Sequence, residues 1–133
     1  MFQEEFNRQV NAARTKLNML SKNPAGYFVL SMLAGIYIGF GTILIFTIGG
    51  LLGGEPWTRV VMGAAFGVAL SMVVIAGAEL FTGNNLVMGA GLMKKEVTIG
   101  EAVKLWVVCY LGNWAGALLL SVLYHFSDLA TEP

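Results

Sequence analysis

A short segment near the middle of the 133-residue chain carries several polar side chains within an otherwise apolar run. Residues 75–86 include Glu79, Thr82, Asn84 and Asn85, together with two glycines. Asparagine and threonine side chains can cap the backbone groups that a broken helix releases. A new helix beginning after Asn85 would direct its unpaired N–H groups and the positive end of its dipole at a small anion. We therefore predict that this segment interrupts a helix and forms an anion site.

Two structural alternatives explain the same residues without a ligand. One is a re-entrant turn that only packs against its neighbours. The other is a long, tilted helix in which Glu79 pairs with a neighbouring residue. Irregular backbone at membrane depth is tolerated only where protein or a water-filled cavity covers it, so a re-entrant turn would need such a cover.

Other chemistry is sparse in this sequence. One histidine, His125, and one cysteine, Cys109, provide neither a metal-binding cluster nor a disulfide. We interpret His125 as interfacial and Cys109 as a small buried apolar residue. With no visible nucleophile–base pair or phosphate loop, enzymatic activity is the least supported class, and we expect no cofactor and no metal. Eight Lys/Arg balance eight Asp/Glu, which leaves no basic excess for nucleic acid.

The distribution of charge indicates a membrane protein. Only 12% of residues are charged, whereas soluble domains average about 25%. Residues 23–54 and 105–127 contain no Lys, Arg, Asp or Glu, and residues 60–93 contain only Glu79. A bilayer core of about 30 Å needs about 20 apolar helical residues, so each stretch is long enough to span it.

The predicted fold is an all-α membrane protein with an N-terminal amphipathic helix and three transmembrane helices, the second of them interrupted. Apolar residues recur every three or four positions up to residue 20, as in a helix lying on the membrane surface or on a partner helix. Lys and Arg concentrate in the N-terminal segment and near residues 94–104, which places both in the cytoplasm. The predicted segments are 1–22 for the amphipathic helix, 26–52, 57–93 and 102–125 for the spans, and 126–133 for an outward-facing tail.

The second span is too long to remain one helix. Residues 60–93 would form a helix about 51 Å long at 1.5 Å per residue, which exceeds the bilayer core and would demand a severe tilt. We predict a break near residues 77–85, where the polar side chains and glycines lie.

Each span also carries a pair of glycines four residues apart, a spacing that lets helix backbones approach closely. The residues that we assign to helix packing are Gly35, Gly39, Gly63, Gly67, Gly112, Asn113 and Gly116. Asn113 is expected to hydrogen-bond across helices.

Residues 76–84, with the sequence Ala-Gly-Ala-Glu-Leu-Phe-Thr-Gly-Asn, resemble the signature of the formate/nitrite transporter family, in which this segment interrupts the second transmembrane helix. Residues 23–28, 34–47 and 111–116 resemble the family in order and spacing as well. The resemblance runs from about residue 20 to 125, and is strongest to the nitrite-channel branch.

The resemblance implies an aquaporin-like protomer with six spans in an inverted three-plus-three repeat, assembled as a homopentamer in the bacterial inner membrane. It implies transport of nitrite, formate or hydrosulfide. On matching positions, Phe66 and Leu70 line the outer pore, Leu80 and Phe81 form an apolar constriction, and Thr82 bonds a central histidine. The implied anion pathway is Phe66, Leu70, Leu80, Phe81, Thr82, Gly83 and Asn84.

The chain departs from this pattern because it has three predicted spans, and the histidine of the second broken helix has no counterpart in it; His125 is not that residue. Three interpretations are a fragment, a half that pairs with a separately encoded half, and antiparallel pairing of two copies. The single orientation indicated by the Lys/Arg distribution argues against the last, and we expect a fragment that supplies the N-terminal half. The alternative function is a three-helix membrane anchor or scaffold, which the short, weakly charged loops disfavour.

Overall fold

The computed structural model describes residues 2–127, which form five α-helices. The helices are α1 (Phe2–Lys22), α2 (Pro24–Leu51), α3 (Thr58–Ala76), α4 (Phe81–Met93) and α5 (Ile99–Phe126). Of these, α2, α3 and α5 are long and apolar enough to cross a membrane. The all-helical fold with three candidate spans is therefore as predicted from the sequence. Most of the predicted tail, 126–133, lies outside the described residues.

The amphipathic helix α1 packs on a partner helix, which was one of its two predicted positions. It lies mainly against α4, and its buried residues Val10, Ala13 and Leu20 lie on the side that the apolar pattern marks. One residue separates it from α2. Asn23 caps α2 by accepting a hydrogen bond from the Gly26 N–H at 2.9 Å. Pro24 occupies the first turn of α2, where its missing N–H leaves no bond unmade.

Helices α2 and α5 form a close backbone contact that glycines make possible. A side-chain carbon on Gly35 would collide with the carbonyl oxygen of Asn113, and one on Gly116 would collide with the carbonyl oxygen of Met32. Gly112 faces Ser31, and Gly39 faces Leu120. Two of the three predicted glycine pairs therefore lie between these two helices.

The third predicted pair, Gly63 and Gly67, behaves differently. Within residues 2–127 no atom lies within 4 Å of where a side-chain carbon would stand on either glycine. Helix α3 approaches α2 through Ala69, which faces Gly41. Ala69 is about 200° around the helix from Gly67 at 100° per residue, so the glycine pair points away from α2. The packing predicted for this pair is not made within the described chain.

The second span is interrupted between α3 and α4. Gly77 adopts a left-handed conformation with φ of 65°, which glycine adopts without strain. The Ala78 N–H donates to the Val73 carbonyl at 3.0 Å and the Gly77 N–H to the Val74 carbonyl at 3.3 Å. This pair of bonds is the Schellman arrangement that ends helices.

Helix α4 begins at Phe81, earlier than the predicted start after Asn85. Leu80 precedes it in an extended conformation with φ of −95° and ψ of 130°. The break therefore occupies residues 77–80, which is shorter than the predicted 77–85. Thr82, Gly83 and Asn84 belong to the first turn of α4 and are not part of an irregular loop.

We predict that Gly116→Ala destabilises the protein because the added carbon collides with the Met32 carbonyl oxygen. Overpacking of this kind lowers the free energy of unfolding by about 1–3 kcal/mol, which denaturation in detergent micelles measures. Gly100→Ala on the same helix is the control, since among the described residues nothing lies within 4 Å of its added carbon. Equal losses in both variants would contradict the proposed close contact.

Candidate functional site

The carboxylate of Glu79 lies at the centre of a buried polar cluster. Its residue is 6% exposed. The Lys16 ammonium group donates to both carboxylate oxygens at 2.6 Å. The Tyr27 hydroxyl donates to Oε2 at 3.1 Å, and the Asn84 side-chain N–H group donates to the same oxygen at 3.0 Å. Because an unpaired charge in a low-dielectric interior is strongly unfavourable, this pairing is what permits a carboxylate in the second span.

Lys16 was not among the predicted site residues, although the sequence contains a signal for it. The positions Ala13, Lys16, Leu17 and Leu20 follow one another at intervals of three, one and three residues, so they share one face of α1. A lysine within an apolar stripe calls for an acidic partner, and Glu79 is the acidic residue within the long uncharged runs. One alternative from the sequence paired Glu79 with a neighbouring residue. The structure shows such a pairing for the Glu79 side chain, with Lys16 as its partner.

Asn84 points into this cluster. It is 1% exposed, and its side-chain nitrogen lies 2.9 Å from the Tyr27 hydroxyl and 3.2 Å from the Cys109 sulfur. The Cys109 thiol in turn contacts the Glu79 carbonyl oxygen at 3.2 Å. Cys109, predicted to be a simple apolar residue, is buried but has polar neighbours. The Asn84 side chain supports the break from within.

Asn113 of α5 connects three backbone segments. Its side-chain oxygen, Oδ1, accepts a hydrogen bond from the Phe81 N–H at 2.9 Å. Its side-chain nitrogen donates to the carbonyl oxygens of Ser31 and Glu79, each at 2.8 Å. The sequence predicted that asparagine and threonine side chains of the segment itself cap the broken helix. The cap of α4 instead comes from a neighbouring helix. Leu80, at the N-cap position, has no side-chain oxygen to supply.

Two N–H groups at the start of α4 remain available. The first amides of a helix have no acceptor within the helix. Among residues 2–127, Phe81 donates to Asn113 and Asn84 donates to the Leu80 carbonyl, whereas no acceptor is found for the amides of Thr82 and Gly83. These two donors stand at the positive end of the α4 dipole.

The break separates two open grooves. The first, of about 540 Å³, lies between α2 and α5. The second, of about 500 Å³, extends from the break to α1 and includes Lys16, Glu79 and Gly83 in its lining. Leu80 and Thr82 border both grooves, so they lie at the partition between them. The Phe81 ring borders the first groove and packs edge-on against Tyr110, with ring centroids 5.5 Å apart.

The predicted pathway residues are thus only partly brought together. Leu80, Phe81, Thr82 and Gly83 meet at the partition, and Leu70 and Asn84 border the second groove. Phe66 is placed elsewhere, at the contact between α3 and α2 beside Gly41. It borders neither of these grooves in the described part of the chain.

We predict that Glu79→Gln destabilises the protein because it leaves the Lys16 ammonium group without its anion. Breaking a buried pair lowers the free energy of unfolding by about 3 kcal/mol, and adding Lys16→Met is expected to recover part of the loss. Glu5→Gln is the control, since its ion pair with Arg8 is exposed and worth at most about 1 kcal/mol. Additive losses in the double variant, measured by unfolding in micelles, would contradict the coupling.

Comparison with known proteins finds relatives of this chain. A family model described as "Formate/nitrite transporter" matches residues 3–133. The nitrite transporter NirC of Escherichia coli (strain K12) is 41% identical over 100% of this chain and 49% of its own length. A probable formate transporter of Methanothermobacter thermautotrophicus is 42% identical over 83% of the chain and 41% of its own length.

The fold is shared as well. A solved structure described as an FNT family ion channel aligns with a TM-score of 0.92 at 35% identity, covering 98% of this chain and 52% of that one. The chain thus spans about half the length of the relatives that it matches. The extent of these matches and the broken second span show that this integral membrane protein belongs to the formate/nitrite transporter family.

Proposed function

We propose that the chain forms the N-terminal half of a pore that carries a small monovalent anion, nitrite foremost, across a bacterial inner membrane. The observation that carries this proposal is the pair of available N–H groups on Thr82 and Gly83, which stand where two grooves meet at Leu80. A helix N-terminus is a favourable site for negative charge. At the partition, the N-terminus of α4 offers hydrogen-bond donors to an anion but does not enclose the anion.

The apolar side chains beside these donors provide selectivity. Leu80 and Phe81 offer no hydrogen bonds to replace the water shell of a strongly hydrated ion, so such ions are excluded. A small anion, or its acid, that can exchange part of its water for the Thr82 hydroxyl and the two amides passes more readily. We assign the constriction to Leu80 and Phe81, and the polar contact to Thr82 and Gly83.

The charge on Lys16 contributes less than its position beside the second groove suggests. Both oxygens of Glu79 contact its ammonium group, so the pair is close to neutral as a whole. Conduction requires binding that is strong enough for entry and weak enough for release. Backbone dipoles next to a neutralised ion pair satisfy that requirement better than an unpaired cation would.

A second three-span half is expected to complete the pore. Family transporters match this chain over about half of their length, and inverted repeats place substrate sites at the interface of two halves. Large apolar side chains remain exposed next to the second groove, including Val74 at 70% and Leu86 at 67%. A second half or lipid would cover them. We further propose a cytoplasmic N-terminus and a homopentamer for the complete protein.

The choice of nitrite rests on relatives, and formate and hydrosulfide are the competing substrates. NirC, named as a nitrite transporter, aligns over the whole chain at 41% identity. The formate channel FocA of Haemophilus influenzae aligns over 88% of it at 34% identity. Flux of the three anions through the full-length protein in liposomes distinguishes these substrates, and the anchor alternative predicts no flux of any of them.

We predict that Thr82→Val lowers nitrite flux by about fivefold to tenfold, as expected for one lost hydrogen bond of about 1 kcal/mol. Phe81→Ala is expected to widen the constriction and to raise chloride leakage relative to nitrite. Thr47→Val is the matched control, because the Thr47 hydroxyl is exposed and bonds only within α2 to the Ile43 carbonyl. Liposome flux that is unchanged in both site variants would contradict the assignment.

We also predict that Gly83→Pro lowers nitrite flux more than Gly83→Ala does. Proline removes the N–H but is tolerated in the first turn of a helix, whereas alanine keeps the N–H. Within the described chain no atom lies within 4 Å of a side-chain carbon at position 83, so the alanine methyl group fits. The measurement is nitrite flux per folded protein in liposomes. Equal flux for the two variants would show that this amide does not contact the anion.

A further inference from the structure

The start of α4 is capped in an unusual way. An N-cap side chain normally accepts a hydrogen bond from the amide two or three positions later. For α4 those amides belong to Thr82 and Gly83, the donors that the proposed function needs. The Leu80 side chain at the N-cap cannot accept a hydrogen bond, and the Asn113 side-chain oxygen accepts one from the Phe81 amide instead.

We propose that Asn113 is a positioning residue that orders the break from α5 and keeps the amides of Thr82 and Gly83 free for the anion. This proposal rests on the proposed function and adds to it the means by which the site is kept open. Asn113 acts through the backbone of its neighbours. Its side chain uses one acceptor and two donors, and each has a partner of its own at 2.8–2.9 Å.

The position of the Asn113 side chain is set by close packing. The backbone carbonyl oxygen of Asn113 lies against Gly35, and the preceding residue, Gly112, lies against Ser31. Helix α5 therefore cannot slide along α2 at this level without a collision. Because the backbone of α5 is held in place, the length of the Asn113 side chain determines how far Glu79 and Phe81 lie from α2.

The break is joined to α2 on the same side. The Glu79 N–H donates to the Leu30 carbonyl at 3.2 Å, and Asn113 bridges the adjacent Ser31 carbonyl to the Glu79 carbonyl. Residue 79 is thus held through its N–H and its carbonyl, one residue before Leu80. Loss of the Asn113 carboxamide would leave two carbonyl oxygens and one amide without these partners. The position of the constriction along the pore would then no longer be fixed.

The test uses Asn113→Leu and Asn113→Asp in the full-length protein. Leucine has a similar size but removes all three bonds, whereas aspartate keeps the acceptor for the Phe81 amide. Asn18→Leu, at an exposed asparagine on α1, is the matched control. Hydrogen exchange of the peptide spanning residues 79–84 reports the Phe81 amide, and liposome flux reports transport.

We expect faster exchange in this peptide for Asn113→Leu and for Asn113→Asp, because aspartate turns an acceptor oxygen towards the carbonyl oxygens of Ser31 and Glu79, and no change for Asn18→Leu. We also expect Asn113→Leu to lose at least about tenfold in nitrite flux, the order of effect for buried polar groups left unpaired, and to lose preference for nitrite over chloride. Unchanged exchange in Asn113→Leu would overturn the positioning role whatever the flux. Faster exchange with unchanged flux and selectivity would also overturn it.

A second variant tests the free amides directly. Leu80→Asn supplies the missing N-cap acceptor, so it is expected to protect the amides of Thr82 and Gly83 from exchange and to lower nitrite flux more than Leu80→Met does. Flux equal in these two variants, with the added protection present, would overturn the proposal. Absence of nitrite and formate flux in the wild-type protein would contradict the proposed function instead, because the exchange measurements do not depend on transport.

Discussion

A carboxylate at the break of an otherwise apolar span is the constraint around which this structure is arranged. Placing an unpaired acidic side chain at the centre of a membrane helix costs about 2.5–3.5 kcal/mol on insertion scales. The chain meets that cost by pairing Glu79 with Lys16 and by surrounding the pair with Tyr27 and Asn84. Each of these partners comes from a different helix. The ion pair and these two hydrogen bonds therefore connect α1, α2 and α4 to the break.

The close contact between α2 and α5 is the second requirement. Without glycines at the contact the two backbones could not approach, and the carboxamide of Asn113 would not reach both Ser31 and Glu79. The polar cluster and the glycine contact therefore depend on each other. The polar cluster supplies hydrogen-bond partners to the backbone of the break, and the glycine contact brings those partners within reach.

Much of the architecture could be predicted from the sequence because it follows from length and composition. Uncharged runs of about 20 residues or more define the spans, and a run too long for the bilayer, with a glycine near its middle, locates the break. The exact start of α4 could not be predicted, since its cap comes from Asn113, more than thirty positions later in the chain. Local reasoning therefore considered only the asparagine and threonine side chains of the segment itself, Thr82, Asn84 and Asn85, as capping groups.

The glycines and lysines show the same limit. The pair at Gly63 and Gly67 has the spacing that favours close packing, yet the face of α3 that meets α2 carries Ala69. Spacing alone does not indicate which face of a helix has a neighbour. Lys16 was identifiable in principle, because it interrupts an apolar stripe, but its partner lies 63 residues away.

That separation has a consequence for how the protein is made. A ribosome adds about 5–20 residues per second, so the carboxylate of Glu79 follows the ammonium group of Lys16, 63 positions earlier, by roughly 3–13 s. Throughout this interval, Lys16 has no acidic partner, and the apolar face of α1 has no α4 to pack against. Helix α1 therefore cannot take its final place before α4 has been synthesised.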